Sequence, residues 1–120
     1  MKRLSVFGLT IGIASAGSVY AGPTEVHMVS KGGKFFFEPA TVTVKPGTTV
    51  KWINDDPSKQ MHTVTSGVVA GGAPKPDKQF DSKFMMAGKT FEHVFDKAGA
   101  FDYYCLPHAA MKMVGKVIVK

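Results

Sequence analysis

Tyr103-Tyr104-Cys105-Leu106-Pro107-His108-Ala109-Ala110-Met111-Lys112-Met113-Val114-Gly115-Lys116-Val117 contains the only cysteine of the chain, with a histidine three residues on and two methionines beyond it. A single cysteine cannot close an internal disulfide, which leaves a free thiol, an intermolecular bridge or a metal ligand. The neighbours favour the metal. Soft thiolate and thioether donors select copper, imidazole suits it as well, and two histidines with one cysteine and a weak axial methionine form an electron-transfer copper set. Such a set needs a second histidine from elsewhere in the chain.

His62 is the best candidate, because Met61-His62-Thr63-Val64-Thr65 reads as the start of a strand after the polar loop Asn54 to Gln60. His27 and His93 are weaker choices. Each lies inside an alternating run, Glu25-Val26-His27-Met28-Val29 and Phe91-Glu92-His93-Val94-Phe95, where a solvent-facing strand histidine is expected.

Taken together, these residues resemble the cupredoxins, most closely the small plastocyanin-like blue-copper proteins. That family's Tyr-x-Cys-x-Pro-His run, with a methionine eight residues after the cysteine and then Val-Gly-Lys-Val, is matched by Tyr103, Cys105, Pro107, His108, Met113 and Val114-Gly115-Lys116-Val117. A second signature, Phe-x-Pro followed by alternating apolar residues and a glycine, is matched by Phe37-Glu38-Pro39-Ala40-Thr41-Val42-Thr43-Val44-Lys45-Pro46-Gly47. The resemblance implies an all-β, antiparallel Greek-key sandwich. It also implies one type 1 copper, cycling between Cu(I) and Cu(II), on His62, Cys105, His108 and Met113. Met113 is preferred over Met111 because the Met-Val-Gly-Lys register follows plastocyanins, whereas six residues from the cysteine is the shorter amicyanin spacing. Met111 is then a surface residue that helps form an apolar docking face. Met85 and Met86 are read as packing or rim residues. One departure stands out: plastocyanins place an asparagine directly after the first histidine, tying the two ligand loops together, and this chain has Thr63, whose hydroxyl can take part of that role. His62-Thr63-Val64-Thr65-Ser66 is more similar to the wider bacterial members.

The rest of the chain agrees. Lys2-Arg3, an apolar run from Leu4 to Ala16 and then Val19-Tyr20-Ala21 read as a secretory signal peptide over residues 1–21, cut after Ala21 or alternatively after Ala16. The apolar run is shorter than the ~18 residues of a spanning helix, so no stable membrane insertion is expected. Residues 22–120 form one domain, small enough to need a compact core or a staple such as bound metal. The expected location is the periplasm, with the thylakoid lumen as the alternative. The formal charge of +6 comes from dispersed lysines, without an arginine run or stacked aromatic motif. This excludes nucleic-acid binding and suits redox protein partners, a donor and an acceptor of cytochrome-like or copper or haem enzyme type, with acidic docking surfaces. The carrier itself is expected to be a monomer.

Strands are expected at Glu25 to Val29, Thr41 to Lys45, Thr48 to Ile53, His62 to Thr65, Thr90 to Asp96, Ala100 to Cys105 and Met113 to Val119. Breakers are Lys31-Gly32-Gly33-Lys34, Pro46-Gly47, Gly71-Gly72-Ala73-Pro74-Lys75-Pro76 and Ala98-Gly99. Ser66 to Lys89 reads as a loop with a short helix or edge strand. Cys105 ending one strand and Met113 opening the next would project three ligands from one hairpin loop, closed by His62 from a distant segment. Pro107 withholds one backbone donor from the neighbourhood of the sulfur.

Other functions fit less well. A copper delivery or storage protein suits seven methionines and an exported location. Catalytic copper needs an open position and further histidines, and only His27 and His93 remain. Zinc prefers cysteine, histidine and carboxylate and gains little from a thioether.

Overall fold

Thr48–Asn54 (β4) alternates so that Val50, Trp52 and Asn54 turn inward, the period of two that places every second side chain on one face of a sheet. The same alternation buries Val26 and Met28 of Thr24–Lys31 (β1), Val42 and Val44 of Thr41–Val44 (β3), and Val117 and Val119 of Val114–Val119 (β9). The structure is a computed structural model and describes residues 24–120, so the expected signal peptide and its cleavage sites lie outside the described residues.

Five further strands complete the sandwich: Lys34–Glu38 (β2), Thr65–Ala70 (β5), Ala73–Asp81 (β6), Thr90–Phe95 (β7) and Gly99–Tyr104 (β8). One sheet has the order β2-β1-β4-β7 and the other β3-β9-β8-β5-β6. The all-β sandwich is as expected, but its sheets are mixed. The pairings β1 with β4 and β3 with β9 are parallel, because the chain leaves the first sheet after β2, contributes β3 to the second and returns as β4. Alternation reports which face is buried and carries no information on strand direction.

Lys34–Glu38 (β2) is a strand beyond those expected, and it follows directly on the Gly32-Gly33 break. Gly32 and Gly33 both have positive φ (58 and 78), as do Gly71 and Gly72 (60 and 78), the requirement of a two-residue hairpin turn. These turns close the β1–β2 and β5–β6 hairpins, and β6 is the edge strand that the reading of Ser66 to Lys89 allowed. Pro74 and Pro76 are tolerated because β6 is an edge strand. His62 to Thr65 is not a regular strand: His62 makes an isolated bridge with Met85, and β5 starts only at Thr65.

The core is aromatic. Trp52 meets Tyr103 edge-on with ring centroids 5.3 Å apart, Tyr103 meets Phe37 at 4.7 Å, and Phe80, Phe91 and Phe95 close around Trp52. Gly115 lies opposite Tyr103 in the β8–β9 register, and a Cβ there would run into the tyrosine ring. His93 corrects its expectation. It shares the inner face of β7 with Phe91 and Phe95 and packs against Phe80 at 4.7 Å and Phe95 at 4.8 Å, so it is a half-buried packing residue. His27 faces outward as expected, bonded to Asp55 at 2.6 Å.

Candidate metal centre

The connection from β8 to β9 is short and tightly wound. Pro107 starts a 3-10 turn over Leu106–Met111, and Lys112 closes it in the left-handed region at φ 62. Cys105 N–H donates to the Met113 carbonyl at 3.0 Å, and Met113 N–H donates back to the His108 carbonyl at 3.3 Å. These bonds pin Cys105, His108 and Met113 to one end of the sandwich.

His62 reaches the same place through its bridge with Met85, whose backbone it meets in two hydrogen bonds of 2.8 and 3.2 Å. Nδ1 of His62 lies 3.5 Å from Cys105 Sγ, and Nδ1 of His108 lies 3.4 Å from it. The three donor atoms all fall within 4.8 Å of one another, and all three residues are buried. The structure brings His62, Cys105 and His108 together and leaves His27 and His93 outside this cluster. Met113 is fully buried in the core cluster with Cys105, whereas Met111 is 49% exposed. Met85 is core and Met86 surface, as read from the sequence.

Burial pushes the Cys105 thiol up to about 11, against the pull of the Thr63 and His108 backbone N–H groups. The metal-free site therefore holds a thiol at neutral pH, and metal binding must release its proton. The His108 pKa is lowered by burial and by the neighbouring His62, only partly offset by Asp56, a direction that favours the neutral, metal-binding imidazole. A cysteine sulfur and two imidazole nitrogens, with the buried Met113 at the end of the same turn, fit copper in their donor chemistry.

Thr63 performs the tying role expected of its hydroxyl. Leu106 N–H donates to Thr63 Oγ1 at 2.8 Å, and Thr63 N–H donates to Cys105 Sγ at 3.4 Å, so one residue joins both ligand-bearing segments. A further contact of 2.8 Å to Thr65 Oγ1, itself bonded to Asp81, anchors the hydroxyl. Thr63→Val leaves the Leu106 N–H without its acceptor and is expected to cost about 1–3 kcal/mol in chemical denaturation of the metal-free protein. A loss below ~0.5 kcal/mol would show that the loops are held by other contacts.

Three supporting residues were missed from the sequence. Phe35 stacks on the His108 ring at 3.9 Å and meets His62 edge-on at 5.6 Å. Nothing in Phe35-Phe36-Phe37 distinguishes it, because its role depends on the unread strand β2. Asn54 Nδ2 donates to the carbonyls of Gln60 and Met85, fixing the loop that leads to His62. Asp56 Oδ2 lies 2.7 Å from His62 Nε2. Burial alone would raise the Asp56 carboxyl, but hydrogen bonds from Ser30, His62 and Ser58 outweigh it and bring it down to about 2.

The sequence pattern of the family described as copper binding proteins, plastocyanin/azurin family, matches residues 24–120. The chain is 34% identical to a chloroplastic plastocyanin of Tetradesmus obliquus, over 91% of this chain and 77% of that protein. It is 32% identical to a pseudoazurin of Methylorubrum extorquens, over 98% of this chain and 76% of that protein. Among solved structures, a purple cupredoxin from Nitrosopumilus maritimus superposes with a TM-score of 0.64 at 29% identity, covering 81% of this chain and 99% of that one.

Proposed function

The chain belongs to the plastocyanin/azurin family of copper-binding proteins, whose cofactor is a type 1 copper, and from this we propose that it is an exported one-electron carrier using His62, Cys105, His108 and Met113 as ligands. The observation that carries the reading is the convergence of Cys105 Sγ with the Nδ1 atoms of His62 and His108, three buried residues. Bound copper supplies the one-electron redox chemistry. The protein's part is to hold the donors still. Cys105 and His108 are fixed by the 3-10 turn, His62 by its bridge to Met85, and Thr63 ties the two segments together. Donors held this firmly rearrange little between oxidation states, which is the requirement for fast electron transfer.

His108 is the ligand nearest solvent, 8% exposed where His62 is fully covered. Exposed Leu106, Ala110 and Met111 share its turn. An apolar rim of this kind supports brief, close docking, and exposed Lys59 and Lys112 on the two ligand-bearing segments would steer an acidic redox partner at low salt. Ala110→Glu is expected to slow electron self-exchange by about tenfold, equivalent to about 1.4 kcal/mol, with spectrum and potential unchanged. NMR line broadening in mixtures of the two oxidation states measures this. An unchanged rate would move the exit elsewhere.

The axial role separates the two loop methionines. Met113→Leu is expected to retain copper and raise the reduction potential, because losing a weak donor disfavours Cu(II) more than Cu(I). Met111→Leu should shift it much less. Cyclic voltammetry of both variants decides, and the reverse order would hand the axial position to Met111. A delivery or storage function has less support, since Met28, Met85 and Met113 are locked in the core.

A further inference from the structure

Asp56 is a carboxylate in a place where burial penalises charge, and its two oxygens are used differently. Oδ1 accepts from Ser30 Oγ at 2.6 Å, from Ser58 Oγ at 2.7 Å and from the Ser58 N–H at 2.8 Å. Oδ2 faces His62 Nε2 at 2.7 Å, and both side chains are wholly shielded from solvent. Three donors leave no lone pair on Oδ1 for a proton, so the group is satisfied as an anion. An imidazole opposite such an oxygen carries its hydrogen on Nε2. Its Nδ1 lone pair is then free on the side of Cys105 Sγ, 3.5 Å away. A backbone carbonyl could orient the ring equally well, but it would bring no net charge. The carboxylate adds a buried negative charge one imidazole away from the donor cluster, in surroundings that screen it poorly.

We propose that Asp56 is the positioning residue of the metal centre, holding His62 in its Nε2–H tautomer and using its negative charge to favour Cu(II) over Cu(I). The proposal rests on the copper reading above and assigns a determinant of the potential outside the ligand set. Ser30, on β1, and Ser58, in the loop before His62, act by fixing the carboxylate.

Asp56→Asn keeps the shape and removes the charge; its single amide oxygen can serve Nε2–H only by turning the NH2 toward Ser30 and Ser58, so the Ser58 N–H loses its acceptor. The variant is expected to stay blue, with Cu(II) affinity reduced about tenfold more than Cu(I) affinity, a rise of about 59 mV for a one-electron couple. A blue Asp56→Asn protein with the wild-type potential would overturn the charge assignment. If that variant does not fold, Ser30→Ala takes its place: stripping a donor from Oδ1 leaves more charge to Oδ2 and is expected to lower the potential, and an unchanged value would count against the proposal. The tautomer needs neither copper nor a variant. Nitrogen-15 NMR of the metal-free wild-type protein is expected to find the His62 proton on Nε2, and a proton on Nδ1 would overturn the positioning role. A wild-type protein that fails to turn blue yet keeps the Nε2 proton would sink the copper reading and leave the Asp56–His62 pair standing.

Discussion

Cys105→Ala is expected to abolish the intense visible band of the copper-loaded protein completely while the chain still folds. The thiolate is the strongest donor of the set and the chromophore, and no second cysteine exists to replace it. The fold survives because Cys105 is one small member of a core dominated by Trp52, Tyr103 and Phe37. Its loss leaves the Thr63 N–H without the sulfur it reaches at 3.4 Å, a cost of about 1–3 kcal/mol against a typical total of about 5–15 kcal/mol. His62→Ala is expected to damage the colour as badly. His27→Ala and His93→Ala should leave it intact, although His93→Ala also removes a ring packed on Phe80 and Phe95 and will lower stability. Visible spectra and circular dichroism of the four variants test the assignment. Colour that depended on His93 and not on His62 would contradict it.

Trp52→Ala is expected to have the largest effect on stability, about 3–5 kcal/mol, as for other large-to-small changes of buried aromatic residues. Trp52 is fully buried at the centre of the sandwich, touching Phe80, Phe91, Phe95 and Tyr103 from both sheets. At about 4–8 °C per kcal/mol for a domain of this size, the unfolding midpoint should fall by about 12 °C or more. Because Tyr103 lies two residues before Cys105, the damage should extend to the ligand loop and reduce copper retention. Thermal unfolding of the metal-free protein measures the first effect, and a loss below ~1 kcal/mol would mean that the sheets are held together elsewhere.

The residues proposed as ligands stand out in the sequence because they cluster by type, and the structure brings three of them, His62, Cys105 and His108, together. Cys105, His108 and Met113 announce themselves in one short run, and His62 was separable from His27 by its place after a polar loop. His93 was misread for a physical reason: in Phe91-Glu92-His93-Val94-Phe95 the aromatic positions set the inner face, and His93 shares their phase, whereas Val94 is the exposed residue. Direction was invisible for a similar reason, since Val26 and Trp52 alternate identically whether β1 and β4 run parallel or antiparallel. The supporting contacts were unreadable because Phe35 meets two histidines remote in sequence, Asp56 meets His62 across a turn, and Asn54 holds the carbonyls of Gln60 and the distant Met85. Only Thr63 gave a signal, through its position directly after His62, and its bond to the Leu106 N–H bears that reading out.

The most direct test of the account is a titration of the purified metal-free protein with copper(II), followed in the visible. The predicted result is an intense thiolate-to-copper band that grows to an endpoint at one copper per chain, bleaches with a one-electron reductant and returns in full on reoxidation. A weak band, an endpoint beyond one copper, or colour that does not return after reduction would contradict it.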